Sequence, residues 1–217
     1  MVKGLVLKII SLDTIDSTQL YLKEKLSTKE LCAPVAVTAE VQSSGIGSRD
    51  NVWNSYRGNL FLSFALPIKS LPSDLKLESA SIYFSFILKE TLKEFGSKVW
   101  IKWPNDFYID TKKIGGMITN IVDDNLLCGV GINLLNAPSE FNTLDIKINK
   151  EKLLKQYFTN IEKKVLWKQV FSKYKLEFEN NKNFSTHING IKTSLKSATL
   201  DFDGSLIING ERIYSLR

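Results

Sequence analysis

The chain has 217 residues, which suits one sizeable domain with a small appendage. Its composition, 43% apolar and 24% charged, is typical of a globular protein and argues against a disordered or fibrous chain. The formal charge of +6 raises nucleic acid as a partner, but the lysines are spread along the chain as on a solvated surface, so we expect no nucleic-acid partner.

The N-terminal third predicts strands on both sides of a glycine-rich loop. The apolar run at 5–11 is strand-like. It is too short for a membrane span and no signal-peptide cleavage site follows it, so we expect a cytoplasmic protein with no membrane partner. The Asp-Ser-Thr sequence at 16–18 can cap a following helix. Residues 35–41 alternate like a half-buried strand, 59–66 form an apolar strand, and QSSGIGSRDNVW lies between them at 42–53.

This strand, loop, strand order decides against two nucleotide-binding motifs. A dinucleotide fingerprint and a P-loop both lead from the glycine loop into a helix, and this loop also lacks their remaining signature residues. Between Gly45 and Trp53 the only cation is Arg49. The loop therefore predicts a cradle for a ligand of which phosphate is only a part.

The middle of the chain predicts one helix and then a run of strands. Residues 73–95 carry apolar side chains at helical spacing. Short strands are predicted at 99–103 and 107–110. Two long strands follow at 113–122 and 125–135, joined at an Asp-Asp-Asn turn. These elements predict an α+β fold with a mixed or antiparallel sheet flanked by helices.

The C-terminal part changes from helical to β patterning. Residues 149–180 are predicted helical, and their aromatic residues fall on one core-facing side. Short β runs at 190–216, separated by Asp-Gly and Asn-Gly turns, predict consecutive hairpins. We therefore predict a main domain at 1–182 and a small β module at 188–217.

Cysteine and histidine usage excludes several kinds of site. Cys32 and Cys128 lie among apolar neighbours, which predicts two buried thiols and neither a disulfide nor a metal pair. His187 is the only histidine, so we discount histidine-based catalytic triads and zinc sites and assign no residue as a metal ligand. An enzyme built on this chain would use lysine, arginine, carboxylate and backbone amides.

Five short segments carry residues suited to chemistry. DSTQ at 16–19 is also explained as a helix cap, and GVGIN at 129–133 as a closely packed strand. KWPND at 102–106 is harder to explain structurally, because it brings a cation, an indole, an amide and a carboxylate to a strand end. KKIGG follows at 112–116, and the loop at 42–53 is the remaining segment.

The order and combination of these segments resemble the catalytic domain of the biotin protein ligase family. The resemblance runs from about Asp16 to Asn133 and is most specific in KWPNDFYIDTKKIGG. It implies a class II synthetase-like fold with a small SH3-like C-terminal β module. It also implies a two-step reaction: the biotin carboxylate attacks the α-phosphate of ATP with help from Mg²⁺, and a lysine of a biotin carboxyl carrier protein then attacks biotinyl-5'-AMP. The family suggests the carrier of acetyl-CoA carboxylase as that acceptor.

Two expectations concern assembly. Some members of the family carry an N-terminal DNA-binding domain, whereas here the first catalytic strand is predicted within the first ten residues, so we expect a ligase without DNA binding. Pairing of two copies through an exposed strand edge would give a homodimer.

The resemblance assigns biotin to three of the segments and to the loop. Ser17, Thr18 and Gln42 would hydrogen-bond the ureido head. Gly129 and Gly131 would leave one strand face flat enough for the bicyclic ring. The implied biotin site consists of Ser17, Thr18, Gln19, Gln42, Gly45, Ile46, Gly47, Ser48, Lys113, Gly116, Gly129 and Gly131.

The resemblance assigns catalysis and ATP mainly to the central segments. Lys113 would bridge the biotin carboxylate and the α-phosphate, with Arg49 adding positive charge. Asp106 would either help to hold magnesium or accept a proton from the incoming lysine, and we favour the second role. Trp53 would stack on adenine. The implied ATP site consists of Arg49, Trp53, Lys102, Asn105, Lys113 and Asn133, although a plain surface charge explains Lys102 equally well.

The loop departs from the family pattern at its arginines. That pattern usually reads Gly-Arg-Gly-Arg with a further arginine before the tryptophan, and this chain has Ile46, Ser48 and Asn51 at those positions. We therefore expect weaker retention of the adenylate. The nearest rival function is a lipoate or octanoate ligase or transferase of the same superfamily, and a basic nucleic-acid-binding module is a more distant one.

Overall fold

The computed structural model describes residues 7–47, 52–188 and 190–214. Its strands are β1 Lys8–Ile15, β2 Val35–Gln42, β3 Gly45–Ile46, β4 Val52–Trp53, β5 Leu60–Pro67, β6 Trp100–Lys102, β7 Asp106–Ile109, β8 Lys112–Val122, β9 Asn125–Ile132, β10 Ser185–Ile188, β11 Ile191–Ser194, β12 Thr199–Leu200, β13 Leu206–Ile208 and β14 Glu211–Ile213. Its helices are α1 Thr18–Ser27, α2 Ala80–Glu94, α3 Lys150–Glu162 and α4 Trp167–Glu177.

A seven-stranded sheet in the order β1-β2-β5-β9-β8-β7-β6 organises the fold. Strands β1 and β2 are parallel, and every other neighbouring pair in the sheet is antiparallel. This confirms the predicted α+β class with a mixed sheet. The predicted turn between the two long strands is also present, as the tight β8–β9 connection in which Asp123 has a φ of 50°.

The sheet separates two apolar layers, because successive side chains of a strand point to opposite faces. On one face, Phe64 and Cys128 belong to the large core that also contains the buried side chains of α2, α3 and α4. On the other face, Ala65 and Leu127 pack under Leu22 of α1. The helix α1 is therefore alone on its face among the four helices of the described chain.

Helix boundaries differ from the predicted ones where the backbone breaks the periodic pattern. The first helix starts as predicted, since Ser17 is its N-cap and accepts a hydrogen bond from the Leu20 N–H. The second begins only at Ala80, so the predicted start at 73 was too early. The predicted helical region 149–180 is two α-helices and a 3-10 turn, because the left-handed Lys164 (φ 46°) cannot continue a helix.

The two cysteines have different environments. Burial raises the pKa of the Cys128 thiol well above its ordinary value, as predicted for a core thiol. Cys32 is exposed, so the prediction of a second buried thiol was wrong. The reason is positional, since Cys32 lies in the connection between α1 and β2, beyond the apolar face of the helix.

The C-terminal β region packs against the rest of the chain. Leu195 and Leu206 are fully buried in the large core. The indole N–H of Trp103 donates to the Gly204 carbonyl at 2.8 Å, and that of Trp167 donates to Phe202 at 2.8 Å. The boundary between 182 and 188 stays a prediction. Within the described ranges, the helices are too short or too polar to cross a membrane.

Asn59 shapes the loop that follows β9. Its side chain is fully buried, and Oδ1 accepts from the backbone N–H groups of residues 134, 135 and 136 at 3.0, 3.0 and 3.1 Å. Its amide nitrogen donates to the Asn136 carbonyl at 2.7 Å. The Asn59 side chain thus provides hydrogen-bond partners for the backbone groups of this loop, which is not paired with a strand.

We expect Asn59→Ala to lower the free energy of unfolding by about 2–4 kcal/mol, because it leaves several buried backbone groups without partners. Urea denaturation measures the change. Asn180→Ala, at an exposed position, is the matched control and should stay within about 0.5 kcal/mol of the unsubstituted protein. Equal stabilities of the two variants would contradict the role given to Asn59.

Candidate active site

A cleft opens on the α1 face of the sheet, next to the start of that helix. It is lined by residues from α1, the ends of β2 and β7, the β3–β4 hairpin, and the middle of β5, β8 and β9. Most of the predicted site residues meet there. Those lining the cleft are Ser17, Thr18, Gln19, Gln42, Ile46, Gly47, Trp53, Asp106, Lys113, Gly116, Gly129 and Gly131.

One end of the cleft is a hydrogen-bonded cluster of hydroxyl and amide groups. The Thr18 N–H donates to Gln42 Oε1 at 2.8 Å, and Thr18 Oγ1 lies 3.0 Å from Ser63 Oγ. Ser63 in turn donates to Gln19 Oε1 at 3.0 Å, and Gln19 Nε2 donates to Asn120 Oδ1 at 3.1 Å. We call these five residues the polar cluster.

Some hydrogen-bond donors at this end of the cleft are not used within the protein and face the cleft. Each hydroxyl has one proton, and Ser63 uses its proton on Gln19. The oxygen of Gln42 is occupied by Thr18, so the Gln42 amide presents only its N–H₂ group to a ligand. Ser17 accepts from the Leu20 N–H and keeps its own proton. Within the described residues, neither the Gln42 N–H₂ nor the Ser17 O–H has an acceptor.

The other end of the cleft holds an ion pair. Lys113 Nζ lies 2.7 Å from Asp106 Oδ1, and both side chains are partly exposed, at 25% and 19%. Asp106 and Gly116 are opposite each other in the β7–β8 pairing. A Cβ atom on residue 116 would lie 3.2 Å from Asp106 Oδ1, so the glycine gives this pair its room.

Protein side chains cover the two glycines of β9. A Cβ on residue 129 would lie 2.3 Å from Gln19 Oε1, and one on residue 131 would lie 2.7 Å from the Trp53 ring. In this structure Gln19 and Trp53 therefore occupy the strand face that we expect for a biotin ring, and the assignment of the two glycines to biotin stays a prediction. The glycines instead let Gln19 and Trp53 lie close to the sheet.

Trp53 separates the cleft from a smaller cavity. It pairs with Gly45 in the β3–β4 hairpin, and its indole N–H is buried without an acceptor among the described residues. The smaller cavity is lined by Val52, Trp53, Asn54, Asn133, Pro138 and Phe141. Of the predicted ATP residues, Asn133 thus lies beside Trp53 and outside the main cleft.

Two predicted ATP residues point elsewhere. Asn105 is buried and donates to the Met117 carbonyl at 2.6 Å, so it braces the KWPND turn and does not line either cavity. Lys102 lies outside both cavities, with its ammonium 5.5 Å from the centre of the Tyr108 ring. Neither side chain lines a cavity, because alternate residues of a turn and strand cannot all face one side, and the two ATP assignments stay predictions.

The remaining differences concern Gly45, Ser48, Arg49 and Ser63. Gly45 pairs with Trp53 and does not itself line the cleft, and its assignment stays a prediction. Ser48 and Arg49 lie outside the described residues, so their assignments also stay predictions. Ser63 was missed, although it is fully buried in the polar cluster. Its signal in the sequence was that of a lone polar residue inside the apolar strand NLFLSFAL.

Comparison with known proteins places these residues in a family. Residues 11–134, more than half of the chain, match the model of the biotin/lipoate A/B protein ligase family. The chain belongs to this family. The matched range contains the polar cluster, the glycine-rich loop and the Lys113–Asp106 pair.

Relatives in this family align with part or all of the chain. The bifunctional ligase/repressor BirA of Escherichia coli is 32% identical over 130 residues, which are 57% of this chain and 39% of BirA. The chloroplastic biotin–protein ligase 1 of Arabidopsis thaliana is 30% identical over 150 residues, 59% of this chain and 40% of the plant protein. The match thus spans about two-fifths of the length of either relative.

Solved structures extend the likeness to the whole chain. A biotin acetyl coenzyme A carboxylase synthetase from Helicobacter pylori, with bound biotinylated ATP, has a TM-score of 0.92 and 39% identity over 95% of this chain and 99% of that one. A biotin protein ligase from Aquifex aeolicus, in complex with biotin and ATP, has a TM-score of 0.77. At 22% identity over 97% of this chain and 96% of its own, it supports the fold alone.

We expect Gly129→Ala to destabilise the protein by about 1–3 kcal/mol, because the new methyl group collides with Gln19. If that collision is the cause, the double variant Gly129→Ala/Gln19→Ala should lose less stability than the sum of the two single variants. Thermal or urea unfolding of all three completes the cycle. Additive losses would contradict the contact.

Proposed function

We propose that the protein is an ATP-dependent ligase that activates biotin as biotinyl-5'-AMP and transfers it to a lysine of a biotin carboxyl carrier domain. The observation that carries the proposal is the polarity of the cleft. Donor groups that have no acceptor among the described residues face one end, and a lysine ion pair occupies the other. A ligand with a hydrogen-bonding head and a carboxylate tail matches both ends.

The polar cluster favours biotin over a purely aliphatic acid. A ureido carbonyl can accept from the Gln42 N–H₂ and the Ser17 O–H, for which the described part of the chain offers no acceptor. A lipoyl or octanoyl chain offers no comparable acceptor at its far end. Binding of either acid would therefore leave these donors unsatisfied at a cost of about 1–3 kcal/mol each.

The lysine end suits adenylation. Attack of a carboxylate on an α-phosphate brings two anions together, and Lys113 supplies positive charge at the point where they would meet. Asp106 holds the Lys113 ammonium in place at 2.7 Å until the substrates arrive. Arg49 would add charge from the loop. Trp53 and the small apolar cavity beside it offer adenine a stacking surface.

Magnesium would enter with the nucleotide. In the described part of the chain no cluster of three or more acidic, histidine or cysteine side chains could form a cage for a metal ion. Asp106 is the only carboxylate lining the cleft in that part, and it is paired with Lys113. Mg²⁺ is commonly held by substrate phosphates with few protein ligands, so the donor set fits a metal carried by ATP.

The second half-reaction needs a base. An acceptor lysine has an ordinary pKa of about 10.4 and is a poor nucleophile until it loses a proton. Once Lys113 turns to the phosphate, the Asp106 carboxylate is free to take that proton. The acceptor would be the carrier domain of acetyl-CoA carboxylase, and ATP dependence favours the cytoplasm.

The relatives support this choice within the family. Its members act on biotin or lipoate, as the family description states. The relatives from Escherichia coli and Arabidopsis are named for ligase activity, and the Helicobacter pylori structure holds biotinylated ATP. Together with the polar cluster, these likenesses favour biotin.

Pyrophosphate exchange with ATP, Mg²⁺ and either biotin or lipoate tests the proposal. We expect exchange that depends on biotin alone. Lys113→Ala should reduce it by at least about a hundredfold, because the charge that stabilises the transition state is lost. Exchange with lipoate alone would assign the rival function. No exchange with either acid, together with salt-sensitive binding to an oligonucleotide, would favour a nucleic-acid module.

Asp106→Ala separates the two half-reactions. If Asp106 serves mainly as the base, the variant should still form biotinyl-5'-AMP within about tenfold of the unsubstituted rate and fail to label the carrier. Single-turnover adenylation and carrier labelling measure the two steps. Loss of adenylation with normal transfer of supplied biotinyl-5'-AMP would move Asp106 to the first step.

A further inference from the structure

Strand β6 forms one edge of the main sheet and leads directly into the turn that carries Asp106. It pairs with β7 on its inner side only. In an antiparallel strand, the N–H and C=O groups of one residue point toward the partner strand, and those of the next residue point away from it. The outward groups of residues 101 and 103 therefore need partners from outside the sheet.

Side chains from the end of α4 and from the 3-10 turn that follows it supply these partners. Asn181 Oδ1 accepts from the Trp103 N–H at 2.6 Å, and Asn181 Nδ2 donates to the Ile101 carbonyl at 3.2 Å. Glu177 Oε1 accepts from the Ile101 N–H at 3.0 Å. These two side chains thus make the backbone hydrogen bonds that a neighbouring strand would otherwise make.

Both side chains are themselves held in place. Asn181 is completely buried. The second oxygen of Glu177 lies 2.5 Å from the ammonium of Lys89, a lysine only 2% exposed. That ammonium also lies 4.0 Å from the centre of the Phe86 ring. The contacts to β6 are therefore anchored in the core and are not surface hydrogen bonds.

The chain between these contacts and the ion pair is short and tied down. Asn105 exchanges hydrogen bonds with Met117, its carbonyl accepting at 3.1 Å and its amide donating at 2.6 Å. The next residue is Asp106, whose carboxylate is 2.7 Å from Lys113. Only Pro104 and Asn105 separate Trp103, whose N–H is held by Asn181, from Asp106, whose carboxylate holds Lys113.

We infer that Asn181 is a positioning residue for adenylation, which acts by fixing the KWPND turn so that Asp106 holds Lys113 in the cleft. The inference rests on the proposed function. Asn181 lines neither cavity beside the site, so its effect passes through the backbone of residues 101–106. The competing explanation is that it only stabilises the sheet edge.

Asn181→Leu tests the inference, with Asn160→Leu as its control. Asn160 is also a buried asparagine, but its amide donates to Thr91 and Glu94 of α2 and not to the backbone of β6. Both variants should unfold at lower temperature. Below both transitions, biotin-dependent pyrophosphate exchange by Asn181→Leu should lose about three- to tenfold in kcat, since misplaced catalytic groups slow the reaction. The loss should not exceed that of Asp106→Ala, because the effect of Asn181 passes through Asp106.

The KM for biotin should stay within about twofold in Asn181→Leu, because the polar cluster is built on other strands. Asn160→Leu should keep both constants. Normal kcat in Asn181→Leu, or an equal loss in Asn160→Leu, would overturn the positioning role. Asn181→Asp retains an acceptor for the Trp103 N–H and should recover part of kcat, and it serves as the test variant if Asn181→Leu does not fold.

A crystal structure of the tested variant provides a readout independent of activity. We expect the distance between Asp106 Oδ1 and Lys113 Nζ to exceed 4 Å, against 2.7 Å here. An unchanged distance would overturn the inference even if the unsubstituted protein showed no exchange. An unsubstituted protein without exchange would instead count against the proposed function, so the two failures are distinguishable.

Discussion

The incomplete cover of one sheet face creates the site. The helix α1 has 10 residues and spans about 15 Å, whereas the eight residues of β5 extend about 26 Å. The helix packs on Ala65 and Leu127 at one end of their strands. On the same face, Ser63 lies two residues before Ala65 in β5, and Gly129 lies two residues after Leu127 in β9. This part of the face is open to the cleft.

Three helices cover the middle of the opposite face with a continuous core, and the opening on that side lies at the sheet edge, between β1, β2 and α3. Phe64 shows how closely that layer is packed, since its ring meets three other aromatic rings edge-on at 5.5 to 5.8 Å. A rigid layer behind the sheet keeps the strands in register. It thereby holds groups from β2, β5, β7, β8 and β9 in one cleft, as catalysis by preorganised charge requires.

Buried amide side chains connect the parts that strands alone do not. Asn59 satisfies the loop after β9, Asn105 ties the KWPND turn to β8, and Asn181 completes the sheet edge at β6. Each replaces backbone pairing where the chain is irregular, and each lies close to the site without lining the main cleft. In KWPND, only Asp106 reaches the cleft, and the indole and amide of the motif serve its geometry.

The sequence by itself determined what depends on local periodicity and on short motifs. Alternation predicted the strands of the sheet, the Asp-Asp-Asn turn predicted the β8–β9 connection, and DST predicted both a helix cap and a wall of the cleft. The motif segments also indicated the family, and most of the residues that they implicated line one cleft. These features need only neighbours within a few residues.

Only the tertiary structure decided contacts between distant segments. Ser63 meets Gln19 across 44 residues and Asn181 meets Trp103 across 78, and no local pattern encodes such pairs. The same limit explains why the sequence did not indicate that Asn105 is buried against Met117 or that Cys32 is exposed, since both depend on what the rest of the chain places opposite. Local periodicity determines on which face of its own helix or strand a side chain lies. Packing between elements determines which other residues contact that face.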